Sequence, residues 1–119
     1  MSTILVCDDT PDILEMVQLI LEAEGYEVAT AARGQEVLDA VRRTAPDLVL
    51  LDLRMPGLDG FGVLRGFREM PGLPPPVVVL SAKGRDEDRR AALDAGACGY
   101  LPKPFSVGQL LEVVRQHVR

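Results

Sequence analysis

Three short runs in this chain are apolar at every position: Ile4-Leu5-Val6, Leu48-Val49-Leu50-Leu51 and Val77-Val78-Val79-Leu80. A strand with one wet face alternates apolar and polar residues. A strand buried on both faces reads as a continuous apolar run, so these three predict a parallel sheet covered by helices on both sides. Tyr26-Glu27-Val28-Ala29 and Cys98-Gly99-Tyr100-Leu101 are weaker strand candidates.

Helical patterns fill the intervals. Pro11 suits a first helical position after Thr10, and Gly25 closes that helix. Val37, Leu38 and Val41 give the second helix an inward stripe, and Phe61, Leu64 and Phe67 do so for the third. In the fourth, Ala91, Ala92 and Leu93 are expected inside, the charges of Arg85–Arg90 outside, and Gly96 at the stop. Leu110, Leu111, Val114 and Val118 mark the last. Strand and helix alternate five times, which defines an α/β class with right-handed crossovers. Pro74-Pro75-Pro76 stiffens the loop entering the fourth strand.

Composition narrows the function. At 119 residues the chain has room for one domain. Its 47% hydrophobic and 26% charged residues exclude disorder as the default. A net charge of −5 argues against a sequence-independent grip on nucleic acid. Aromatics at 4%, with no Trp, argue against a base-stacking platform. No apolar run exceeds four residues, far short of a membrane span, and no leader pattern opens the chain, so it reads as cytoplasmic with no membrane partner. Two Cys and one His supply neither a disulfide framework nor a zinc site.

Ligands of an open parallel sheet bind beyond the carboxyl ends of its strands. Asp8 and Asp9 follow the first strand, Asp52 the third, Ser81 the fourth and Lys103 the fifth. Any one acid there reads first as a helix cap or a solvated residue. Together they do not, because like charges about 4 Å apart repel by roughly 1–4 kcal/mol. Three carboxylates suit a hard divalent cation, Mg²⁺ or Mn²⁺, and Lys103 and Ser81 suit phosphoryl oxygens. The strings G-x-x-x-x-G-K-[ST] and G-x-G-x-x-G are absent. The residue two past Asp52 is Arg54, not the second acid of an aspartyl phosphatase, and His117 lies far from Ser81 in sequence. What remains is Asp52 as a carboxylate nucleophile that forms an acyl phosphate.

Val6-Cys7-Asp8-Asp9, Leu51-Asp52-Leu53-Arg54-Met55-Pro56-Gly57-Leu58-Asp59-Gly60, Leu80-Ser81-Ala82-Lys83 and Tyr100-Leu101-Pro102-Lys103-Pro104-Phe105 resemble the receiver domain of bacterial two-component response regulators, chemotaxis regulators included. The likeness runs from Ile4 to Val118. It implies a flavodoxin-like, doubly wound (βα)5 sandwich with a five-stranded parallel sheet in the order 2-1-3-4-5. It also implies a single receiver domain over residues 1–119, with no output domain in this chain. Met1-Ser2-Thr3 reads as a native start, so any further domain is expected C-terminally.

By the same resemblance, Asp52 takes a phosphoryl group from the phosphohistidine of a histidine kinase or phosphotransfer protein. Asp8, Asp9, Asp52 and the backbone carbonyl of Arg54 hold Mg²⁺, Asp8 mostly through water. Lys103 pairs with Asp52 before the reaction and with the phosphoryl group after it. Ser81 closes onto that group, Tyr100 is the switch aromatic, and Arg54 and Lys83 occupy the positions that tune phosphoryl lifetime. A long cation at Arg54 is expected to cover the phosphoryl group. The Lys103–Pro104 peptide is expected to be cis. The surface of helix four, strand five and helix five signals to a downstream partner or output domain. Ser81 replaces the commoner Thr, and Gly96-Ala97-Cys98-Gly99 lacks the acid pair of the winged-helix subfamily, so that subfamily's salt-bridged dimer is not implied.

Plainer roles are expected elsewhere. Asp59 caps the third helix, and His117 is an exposed residue of the last turn. Cys7 and Cys98 are reduced core thiols, their strands roughly 14 Å apart in that order. The competing functions are a receiver that binds partners without phosphorylation, which would be expected to lack one of the five residues, and a small metal-dependent phosphatase.

Overall fold

The computed structural model describes residues 2–55, 57, 59–82 and 86–119. Elements alternate as β1 (Thr3–Cys7), α1 (Pro11–Ala23), β2 (Glu27–Ala31), α2 (Gly34–Thr44), β3 (Leu48–Asp52), α3 (Gly60–Glu69), β4 (Val77–Ala82), α4 (Asp86–Asp94), β5 (Gly99–Lys103) and α5 (Val107–His117). The strands form one parallel sheet in the order β2-β1-β3-β4-β5. This is the doubly wound, flavodoxin-like arrangement expected from the sequence.

The apolar runs are continuous because alternate residues serve opposite layers. Ile4, Val6, Leu48, Leu50, Val78 and Leu80 pack with Val17 and Leu21 of α1 and Leu110 and Val114 of α5. Leu5, Cys7, Val49, Leu51, Val77 and Val79 pack with Val37 and Val41 of α2, Val63 and Phe67 of α3, and Ala92 of α4.

Local chemistry sets the helix ends. Pro11 occupies the first turn of α1, and Gly25 beyond its end has φ +91°. Asp59 caps α3, its Oδ1 accepting from the Gly62 N–H at 2.8 Å. Ser106 and Gln109 form a reciprocal capping box on α5. Among the described residues no helix is long and apolar enough to cross a membrane.

Several expectations shift. β2 and β5 run further than the strings predicted for them, and β5 passes through Pro102. An edge strand tolerates proline because one side of its backbone needs no ladder partner, and β5 pairs with β4 alone. Ala91 and Leu93 are exposed, and α4 buries Ala92 alone. Three consecutive residues spread over about 200° of a helix and cannot share one face. A buried Leu or Val contributes about 1.5–3 kcal/mol and an alanine methyl well under that, so α4 is held far less firmly than α5. Cys98 is exposed rather than a core thiol, since it precedes β5; Cys7 is buried, and both are free. His117 is half-buried rather than exposed. Its Nδ1 lies 2.9 Å from the Val113 carbonyl, and its ring covers Gly99, where a Cβ would stand 2.9 Å from Nε2.

Candidate functional site

Four of the five strands, β1, β3, β4 and β5, deliver chemistry at their carboxyl ends. Asp52 is the last residue of β3, and Asp8 directly follows Cys7, the last of β1. Ser81 lies in β4 in register with Pro102, and Ala82 beside it is in register with Lys103. Asp8, Asp52 and Ser81 are the buried polar or charged side chains of the described fold, and all three sit on this rim.

The ammonium of Lys103 joins the two buried acids. Its Nζ lies 2.6 Å from Asp8 Oδ2 and 3.4 Å from Asp52 Oδ2. The expected pairing with Asp52 is present, and Asp8 is a second and nearer partner. The fully buried Asp8 has the greater need of a counter-charge, and Asp52 Oδ1 already accepts from the Arg54 N–H at 3.1 Å. Asp8 Oδ1 accepts from the Thr10 N–H at 2.9 Å, which ties the acid to the start of α1 while Thr10's own hydroxyl makes no cap.

Burial raises the Asp52 carboxyl above its ordinary range, and the charge of Asp8 adds to the rise. The Arg54 N–H and Lys103 oppose it without cancelling it. The result is a carboxylate more basic than usual, which is the property a carboxylate nucleophile needs. Ser81 Oγ is buried with no hydrogen-bond partner among the described residues. A buried hydroxyl left unpaired costs about 1–3 kcal/mol, so an acceptor oxygen arriving there is favoured.

Asp8, Asp9 and Asp52 each offer a carboxylate oxygen, all within 4.8 Å of one another. Asp9 is exposed while the other two are buried, so the cluster opens to solvent on one side. An all-oxygen, carboxylate-rich set of this kind fits a hard divalent cation that keeps water in its remaining positions.

The sequence-predicted residues therefore assemble. The Lys103–Pro104 peptide is cis. Tyr100 is half-buried, its hydroxyl 3.3 Å from the Ala82 carbonyl, and Arg89 of α4 stands 6.0 Å from its ring centroid. Lys83 lies outside the described residues. The guanidinium of Arg54 donates to Asp88 of α4 at 2.8 Å. The Arg54–Asp88 and Arg89–Tyr100 contacts were not foreseen. Partners 34 residues apart carry no local spacing signal, and only the fold brings them together. An apolar recess lined by Ile13, Met16, Pro104 and Phe105 opens beside Lys103 and was likewise not foreseen.

Comparison with known proteins agrees with this geometry. The response regulator receiver domain family matches residues 4–115. The chain is 43% identical over 118 residues to the probable transcriptional regulatory protein TcrX of Mycobacterium tuberculosis, covering 98% of this chain and 50% of the relative. It superposes with a TM-score of 0.91 on a putative response regulator from Chloroflexus aurantiacus, at 36% identity over 97% of this chain and 95% of that one. The chemotaxis protein CheY4 of Vibrio cholerae gives a TM-score of 0.89 at 30% identity, with 99% of both chains covered. The chain belongs to the response regulator receiver domain family of two-component signalling systems. It spans about half the length of the curated relatives it matches.

Proposed function

We propose that this receiver is a phosphorylation-driven switch whose acceptor is Asp52. A carboxylate oxygen of Asp52 attacks the phosphorus of a phosphohistidine on a kinase or phosphotransfer protein. The P–N bond breaks, its electron pair returns to the imidazole, which takes up a proton, and an acyl phosphate remains on Asp52. Asp8, Asp9, Asp52 and the Arg54 carbonyl would hold Mg²⁺, or Mn²⁺ in its place, which when bound neutralises charge on the transferred group.

The chain's own residues do the rest. Lys103, already between the two buried acids, follows the new charge onto a phosphoryl oxygen. Ser81 donates its unpaired hydroxyl to another and draws the end of β4 inward. That movement disturbs the Tyr100 hydroxyl, which rests on the Ala82 carbonyl of the same strand, and so reaches the α4–β5–α5 surface. The recess of Ile13, Met16, Pro104 and Phe105 suits a donor presented on a protein rather than a free metabolite. Hydrolysis of the acyl phosphate resets the domain, so it turns over no external metabolite. We place the domain in the cytoplasm, bound to neither nucleic acid nor membrane. Arg54 and Lys83 set the phosphoryl lifetime.

The observation that carries this reading is a single half-buried lysine bridging the buried Asp8 and Asp52 beside an unpaired serine hydroxyl. Intact mass after incubation with a small acyl or amidyl phosphate, with and without Mg²⁺, tests it. One labile phosphoryl increment is expected, dependent on Mg²⁺ and lost in Asp52→Asn. No increment in the wild type would make a phosphorylation-independent binding module the better account.

A further inference from the structure

The Arg54–Asp88 ion pair connects the acceptor loop to α4. Arg54 Nη2 lies 2.8 Å from Asp88 Oδ2, with the arginine side chain 60% exposed and the aspartate 17%. The backbone N–H of Arg54 rests on Asp52 Oδ1, so the root of this long cation is fixed beside the acceptor while its head is held on the helix. A phosphoryl group on Asp52 would bring close to two negative charges and three acceptor oxygens, which a guanidinium fork matches well. Asp88 and the phosphoryl group thus compete for one side chain.

We infer that Asp88 is a positioning residue for dephosphorylation: by holding the Arg54 guanidinium on α4, it keeps that cation off the phosphoryl oxygens and leaves the attacking water its approach. The inference rests on the reading of Asp52 as acceptor. In the reset step, water attacks phosphorus, the bond from phosphorus to the Asp52 oxygen breaks, and inorganic phosphate leaves with the carboxylate restored. An arginine laid across the phosphoryl oxygens would shield the phosphorus and slow that attack. An ion pair this exposed shifts the arginine's distribution by a factor of up to about five, which bounds the effect on rate. Because α4 buries Ala92 alone, its position is free to respond to what docks on it. A partner engaging Asp88 would then release Arg54 toward the phosphoryl group and lengthen phosphoryl lifetime.

Acid residues in the first turn of a helix also complement its dipole, and that is the plain role open to Asp88. The two roles separate through Arg54. The test follows decay of the phosphoryl increment by intact mass after donor removal, in Mg²⁺, for wild type, Asp88→Asn, Asp88→Glu, Arg54→Ala and the Arg54→Ala/Asp88→Asn double variant. Asp88→Asn is expected to slow decay about twofold to fivefold, Asp88→Glu to restore the wild-type rate, and Asp88→Asn to have no effect once Arg54 is alanine. A rate unchanged or raised in Asp88→Asn, or a change that persists without Arg54, overturns the inference. A wild-type chain that takes no label defeats the acceptor reading and this inference with it; a labelled chain with Asp88-independent decay defeats the inference alone.

Discussion

The two ends of the sheet treat the same residue type in opposite ways. At the amino end, Asp47 is fully engaged: its Oδ2 accepts from the Thr3 N–H at 2.9 Å, its N–H donates to the Thr3 carbonyl at 2.7 Å, and its carbonyl accepts from the Arg119 N–H at 3.2 Å. At the carboxyl end, Asp8 and Asp52 share one ammonium, and Ser81 Oγ has no partner. One acid closes the fold, and the others hold charge in readiness. The contrast is between an acid tied into the backbone and two acids that share one cation beside an unpaired hydroxyl, and it marks the carboxyl rim as the end proposed to react.

The largest effect should come from removing the shared cation. Lys103→Met leaves two buried carboxylates facing each other and should destabilise the metal-free fold by about 3 kcal/mol at neutral pH. The loss should shrink in acid, where Asp52, its pKa raised by burial, takes up a proton. Denaturant titrations at two pH values would show it, and a pH-independent loss would mean that lost packing, not charge, was responsible.

At the other end, Asp47→Ala should cost about 1 kcal/mol by stranding the Thr3 N–H. Phosphoryl uptake should be untouched, because Asp47 lies at the opposite end of the sheet. Impaired uptake in a folded Asp47→Ala protein would break the division between the two ends.

The smallest effect has the opposite sign. The folded-state pKa of Asp52 is raised, mainly by burial, so its contribution to stability is complete below the ordinary carboxylate pKa and is lost as pH rises through the raised value. At neutral pH the ionised carboxylate opposes folding. Asp52→Asn should therefore be slightly more stable than wild type at pH 7 without metal, and the gain should vanish in acid. A destabilised Asp52→Asn at neutral pH would show that Lys103 and the Arg54 N–H outweigh burial.

Much of this was legible in the chain. Continuous apolar runs announced a sheet covered on both faces, because such strands have no wet side to mark with polar residues. The rim residues were legible because strand ends are adjacent in a parallel sheet, so Asp8, Asp52, Ser81 and Lys103 meet wherever the loops lead. Partners chosen by burial were not: Lys103 nearer Asp8 than Asp52 reflects desolvation, which spacing does not encode. Nor were Arg54–Asp88 and His117 over Gly99, where two distant segments meet only after the layers pack. The inward set assigned to α4 erred because three adjacent residues were placed on one face, a geometry no helix provides.

The central claim is that Asp52 carries the phosphoryl group. Borohydride reduces an acyl phosphate of aspartate to homoserine, so trapping the labelled protein and mapping its peptides by mass tests that claim at residue level. Homoserine at position 52, and absent when the donor or Mg²⁺ is withheld, is the predicted result. Homoserine at Asp8 or Asp9, or no reduced residue in a protein that carries the label, would contradict it.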